Sequence, residues 1–176
     1  PAYFMGLKIE RFRKKLLIFL NSKKKLILIE SAVKLAHIYN SKKIKSIVFL
    51  NYSPQLNKFL YWSQQLIAES LGKKKKGILP VVSPAPRDHH SLLQLYLDGP
   101  KDKLFYIFSL NLGKKMKINK NVFGKSFRFA ENKQLSKVIN SQKKALIMVL
   151  KKKKIPFREF KINRINEEVL GELFSY

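Results

Sequence analysis

The run Ser46-Ile47-Val48-Phe49-Leu50 constrains the fold of this chain more than any other stretch. It is apolar without alternation, and it stops at Lys45 on one side and at Asn51-Tyr52-Ser53-Pro54 on the other. A strand with one wet face alternates polar and apolar residues. An unbroken run suits a strand covered on both faces, as in a parallel sheet between helices. The neighbouring periodicities agree. Apolar residues at helical spacing predict helices over 7–20 and 26–39. Ser53 reads as an N-cap with Pro54 at the first helical position, opening a helix to about residue 71 that Gly72 ends. Residues 77–82 read as extended. Residues 83–86 read as loop, because each proline restricts its predecessor. A short helix over 90–97 and a strand over 103–110 follow. Residues 111–129 are polar and irregular with room for a hairpin, and 134–150 has helical spacing. Residues 156–162 read as extended, and Asn166 reads as the cap of a last helix to 176, with Glu167, Glu168 and Glu172 favoured at its start by the helix dipole. Strands alternating with helices predict an α/β fold with a mainly parallel sheet. Ligands of such sheets bind where loops leave the carboxyl ends of the strands, so the loop 82–89 is the expected rim.

With 176 residues, the chain is long enough for one domain with a sizeable core and short for two. An apolar content of 45% excludes disordered and collagen-like chains. The net charge of +26 comes from 37 basic residues against 11 acidic ones, and all but six of the basic residues are Lys. Arg, whose planar fork grips phosphate and guanine bidentately, is scarce. The excess Lys accompanies abundant Asn, Ile and Phe, a pattern of compositional bias. The runs 23–25, 73–76 and 151–154 are read as solvated turns, and no specific nucleic-acid site is expected. The absence of Cys excludes disulfide scaffolds, thiolate metal sites and cysteine nucleophiles, and it fits a cytoplasmic protein. The apolar runs 16–20 and 145–150 are far too short to span a membrane. The chain opens on Pro1-Ala2-Tyr3 without an initiator Met and is read as an excised piece of a longer protein.

Two stretches carry residues with chemical potential. Gln65 and Glu69, four apart on the helix ending at Gly72, project an amide and a carboxylate from one face. Taken alone, such a pair is a solvated helix face. His89 and His90 lie at the start of the helix that follows Pro84 and Pro86. Adjacent residues point apart, and neither a two-His helical spacing nor a Cys partner is present, so no metal and no cofactor is expected. A lone His there is ordinarily a loop hydrogen-bonder. Phe59, Tyr61 and Trp62 are expected to pack on the sheet, and His37 to lie on a helix face.

Together these stretches resemble the C-terminal half of bacterial glucose-6-phosphate isomerases. The matching residues are Gln64, Gln65, Leu66, Glu69, Ser70, Gly72 and Lys73, then Gly77 and Pro80, then His90, Gln94, Leu95, Gly99 and Pro100. The resemblance implies a sugar-isomerase (SIS) domain, a parallel sheet flanked by helices on both faces, spanning 1–176 as a single domain of a two-domain chain. It implies aldose–ketose isomerisation of a sugar phosphate through a cis-enediol, with Glu69 as the base, His90 as the ring-opening acid–base group and Gln65 as a substrate contact. It also implies a homodimer in which the matching His reaches the neighbouring subunit's site. Ser63 and His89 depart from the family pattern. The family's Arg for enediolate charge and its hydroxyl-rich phosphate site would lie before residue 1, and its catalytic Lys beyond residue 176. Activity is therefore expected of the longer protein and not of residues 1–176 alone. Two other functions are weighed beside this one. A non-catalytic sugar-phosphate-binding domain could dispense with Glu69 or His90. A basic nucleic-acid-binding module rests on charge alone and lacks the aromatic–basic signatures of the common folds.

Overall fold

A computed structural model describes residues 3–21, 23–41, 43–111, 117–118 and 133–176. The chain divides into two compact units, one of Pro1–Lys43 with Ile162–Tyr176 and one of Ile44–Lys161.

The second unit holds the sheet. The order along the chain is β1 (Ser46–Asn51), a 3-10 turn (Pro54–Leu56), α3 (Asn57–Leu71), β2 (Leu79–Pro84), α4 (Arg87–Ser91), α5 (Leu93–Asp98), β3 (Lys103–Leu110), α6 (Leu135–Lys152) and β4 (Phe157–Ile162). The strands stand in the order β2-β1-β3-β4, all parallel. β1 pairs with β2 from Ser46↔Leu79 to Asn51↔Pro84 and with β3 from Ser46↔Lys103 to Asn51↔Phe108. The unbroken apolar run is thus the central strand, and Ile47 to Leu50 are each 2% exposed or less.

Its residues divide between two faces with the period of two that a pleated strand imposes. Val48, Leu50 and Tyr52 join Phe105 and Ile107 in a core completed by Leu146, Leu150 and Ile155. On the other face Phe49 lies 6.0 Å from Tyr106 and 6.1 Å from Phe108, and Phe108 stacks on Phe160 at 4.6 Å. Burial on both faces is what an all-parallel sheet requires, and it is why β1 tolerates no polar residue between Ile47 and Leu50.

The first unit contains α1 (Ile9–Asn21), α2 (Lys25–Ser41) and α7 (Glu167–Leu173). Gly171 lies against the Phe12 carbonyl, where an added Cβ would sit 2.3 Å from the oxygen, and Phe12 meets Phe174 edge-on at 5.2 Å. The side chain of Asn166 accepts a hydrogen bond from Val169 N at 2.9 Å, so it caps α7 as its position predicts.

Several local expectations give way. Ser53 does not cap the following helix: its hydroxyl accepts from Leu110 N, tying β1's end to β3, and a 3-10 turn intervenes before α3. Ser83 and Pro84 extend β2 instead of forming loop, since an edge strand accommodates proline. The helix expected from residue 90 begins at Arg87 and breaks at Leu92 into α4 and α5. Tyr61 and Trp62 are exposed, at 50% and 39%, because the sheet-facing side of α3 is filled by Leu60. The expected hairpin within 111–129 falls largely outside the described residues.

Candidate active site

The two candidate stretches are built by the turns that enter and leave β2. α3 stops at Gly72, where a Cβ would stand 2.5 Å from the Ala68 carbonyl oxygen. Lys74 (φ 52°) and Lys75 (φ 60°) then adopt left-handed backbone, and Gly77 (φ 139°) folds back against Leu71 and Gly72. This turn delivers the chain to β2 with the end of α3 beside the strand's start. Gln64 secures the arrangement by donating from Nε2 to the Pro80 carbonyl at 2.9 Å. One residue on, Gln65 faces solvent and donates to Glu69 Oε1 at 2.9 Å. The adjacent glutamines therefore divide the work. Gln64 fixes the helix end, and Gln65 orients an exposed carboxylate that keeps one oxygen free of that bond.

His90 is positioned by the opposite end of β2. Ser83, fully buried, donates to Asp88 Oδ2 at 2.9 Å, and Arg87 Nε donates to Asp88 Oδ1 at 3.0 Å. This buried carboxylate pins α4 to the strand. His89 turns inward, with Nε2 2.9 Å from the Tyr52 hydroxyl. Burial lowers its pKa below 6.5, and the neighbouring Asp88 opposes that shift. Burial also raises the Tyr52 hydroxyl well above 10. The bond is thus between two groups that are neutral at physiological pH. His90 is exposed, and its side chain makes no hydrogen bond among the described residues. Of the two imidazoles, His89 is occupied structurally, and His90 is the one exposed to solvent.

Gln65 and Glu69 are brought together, and His90 is held apart from them. Gln64 bonds at the start of β2, whereas His90 follows its end. From Pro80 to the strand's last residue, Pro84, the chain rises about 13 Å. The turn Ala85–Pro86 and the start of α4, which follow β2, lie on the carboxyl rim of the strands, but Glu69 lies on the other rim.

A buried ion pair went unnoticed in the sequence. Lys143, 7% exposed on α6, donates to Ser109 Oγ at 2.8 Å and pairs with Glu159 Oε1 at 2.9 Å. Burial pushes the Glu159 carboxyl up, but Lys143 and Lys161 outweigh it and hold the group below its ordinary value. The signal was available: Lys143 occupies a place in the helical stripe Ile139, Leu146, Leu150 that faces the core. Among the described residues, no three His, Asp or Glu side chains gather where they could hold a metal ion. A groove along α1, lined by Glu10, Arg13, Lys14, Leu17, Ile18 and Asn21, contains none of the candidate residues.

Comparison with known proteins adds an independent line. No protein-family model matches the chain. Among relatives, the glucose-6-phosphate isomerase of Methanocaldococcus jannaschii is 37% identical over 142 residues, covering 78% of this chain and 34% of that protein. A probable glucose-6-phosphate isomerase of Methanococcus maripaludis is 33% identical over 137 residues, covering 78% and 30%. The Campylobacter jejuni glucose-6-phosphate isomerase is 31% identical over 145 residues, covering 80% and 36%. The crystal structure of a hypothetical protein from Thermus thermophilus superposes with a TM-score of 0.80 at 22% identity, covering 98% of this chain and 43% of that one, which establishes the α/β fold. The chain spans about a third of the length of the relatives it matches. On this footing the chain is a relative of the glucose-6-phosphate isomerases, sharing with them a segment of about a third of their length.

Proposed function

We propose that this chain is the part of a glucose-6-phosphate isomerase that supplies its proton-transfer groups, acting on a sugar phosphate in the cytoplasm within a longer two-domain polypeptide of sugar-isomerase type. The observation that carries this reading is the Gln65–Glu69 pair, a carboxylate oriented by an amide on an exposed helix end, in a segment shared with isomerases of that name. The Glu69 carboxylate takes the proton from C2 of the open-chain aldose. The C2–H electrons form the C1–C2 double bond, and the carbonyl oxygen O1 gains a proton. Return of the abstracted proton from Glu69 to C1, with loss of the O2 proton, gives the ketose. His90 opens the sugar ring by donating a proton to the ring oxygen O5 as the C1–O5 bond breaks, while the O1 hydroxyl gives up its proton to solvent and becomes the C1 carbonyl.

The distance across β2 bears on the assembly. With Glu69 at the start of β2 and His90 after its end, the complete site takes its base from one copy and its ring-opening group from another. This supports a homodimer as the active form.

The test is isotope exchange in the full-length enzyme that carries this segment. Glu69→Gln should lower exchange of the C2 proton with solvent by at least about 10²-fold while leaving sugar-phosphate affinity nearly unchanged, since positioned acid–base groups contribute roughly 10²–10⁴-fold. Undiminished exchange would remove Glu69 from the mechanism and favour a non-catalytic sugar-phosphate-binding domain.

A further inference from the structure

The parallel sheet sorts the lysines of its unit. Each strand is entered from a segment rich in Lys: Lys45 before β1, Lys73, Lys74, Lys75 and Lys76 before β2, Lys101 and Lys103 at β3, and Lys151 to Lys154 before β4. Because all four strands run the same way, these eleven lysines share one edge. Backbone hydrogen bonds draw the segments together there: Lys45 N donates to Asp102 O at 2.7 Å, and Leu79 N donates to Lys45 O at 2.8 Å. All but the half-buried Lys103 are exposed. Opposing charge is slight. Asp102 pairs with Lys103 at 2.7 Å and Asp98 with Lys153 at 2.5 Å, and Glu69 at the end of α3 is a third carboxylate of this unit at the edge.

Part of this charge answers the negative ends of α3, α5 and α6, which terminate here. Lys101, for example, donates to the Leu97 carbonyl in the last turn of α5. That role accounts for one or two cations per helix end. It does not account for four consecutive lysines in the turn that begin four residues beyond Glu69. Charges of one sign on a single edge raise the local concentration of oppositely charged ligands and can accelerate their association by about 10-fold to 10³-fold at low ionic strength.

We propose that the strand-start edge is a collecting surface for small phosphate dianions, which draws a phosphorylated sugar to the helix end bearing Glu69. The proposal rests on the reading of Glu69 as the base, and it names the groups that attract the substrate rather than those that react with it. It also gives the lysine runs a placed role that their composition does not suggest. The ligand recognised is the phosphate monoester dianion, in a sugar phosphate or free in solution.

Binding to the 176-residue chain, followed by backbone amide shifts in NMR, tests this without requiring turnover. The probes are glucose 6-phosphate, inorganic phosphate and unphosphorylated glucose. Both phosphate-bearing probes should shift amides of 73–77, 101–103 and 151–154, and glucose should not. The shifts should weaken at least about threefold when salt rises from about 0.02 M to about 0.3 M, as the screening length falls below the width of the sheet. Lys74→Asn with Lys75→Asn removes two charges while suiting the left-handed backbone there, and it should weaken binding at low salt by about threefold or more. Lys58→Glu and Lys137→Glu, at the starts of α3 and α6 on the far edge, should leave it within about twofold. Equal losses from the far-edge variants, or phosphate shifts confined to the far edge, would overturn the proposal. Should the edge bind phosphate while Glu69→Gln retains full proton exchange, the collecting surface stands and the catalytic assignment alone fails.

Discussion

Adjacent residues of this chain carry different duties because successive side chains on a helix project about 100° apart, so one can face the sheet while its neighbour faces solvent. At Gln64 and Gln65, one amide is spent on the Pro80 carbonyl and the other on Glu69. At His89 and His90, one imidazole is spent on Tyr52 and the other meets solvent. The inward member of the second pair has a measurable signature. Burial favours the neutral form of His89, so its folded pKa lies below 6.5. The unfolded chain therefore takes up this proton first as pH falls, and the stability His89 contributes is present above 6.5 and lost as pH drops toward its folded pKa. Tyr52 acts in the other direction, since a phenol raised by burial destabilises the fold only as pH rises above 10. NMR titration should show His89 titrating below 6.5, with the acid-side loss of stability reduced in His89→Gln. A His89 pKa at or above 6.5 would contradict the buried geometry.

Elements are joined by single close approaches, and Gly171 is the clearest. In a helix interior, Gly→Ala ordinarily stabilises by about 1 kcal/mol through backbone propensity. Here a Cβ would stand 2.3 Å from the Phe12 carbonyl oxygen, and backbone has to move to admit it. Overpacking of that kind costs about 1–3 kcal/mol, so the contact reverses the usual sign. Gly171→Ala should therefore lower the unfolding midpoint in denaturant, whereas a rise would mean that α7 does not dock on α1 through this face. Lys143 illustrates the same dependence on neighbours. Its charge is tolerated in the core face of α6 because Glu159 and Ser109 complete its bonding, and removal of the partner alone would strand a buried ammonium.

At the scale of the whole molecule, parallel strands separate what the sequence places close together. Glu69 and His90 are 21 positions apart, yet β2 sets them on opposite rims. A site assembled from two copies makes a distinct prediction in the full-length enzyme. Glu69→Gln and His90→Ala subunits, each inactive alone, should regain about a quarter of wild-type turnover when unfolded and refolded together in equal amounts, because half of the dimers are then mixed and each mixed dimer contains one site with both groups intact. Persistent inactivity of the mixture, with mixed dimers demonstrated by mass, would place both groups in one subunit's site. The lysine edge arises from the same topology, since only a sheet of uniform direction collects every strand entry on one side.

The strands and most helices were legible in the sequence because their signals are local: an unbroken apolar run for β1, helical spacing for α6, an Asn followed by acidic residues for α7. The Gln65–Glu69 pair was legible for the same reason, a separation of four residues being a contact on any α-helix. What tertiary structure alone decided were the competitions between partners far apart in sequence. Ser53 was free to cap the next helix, but Leu110 N, 57 residues away, claimed its hydroxyl. Tyr61 and Trp62 could have covered the sheet, but the helix turned Leu60 inward and left them in water. Which of the two histidines turns inward was decided by Tyr52, and the separation of His90 from Glu69 by the direction of β2. Sequence periodicity reports which face of an element is apolar, whereas the identity of the group across the gap depends on how elements pack, and that energy is not written in any one segment.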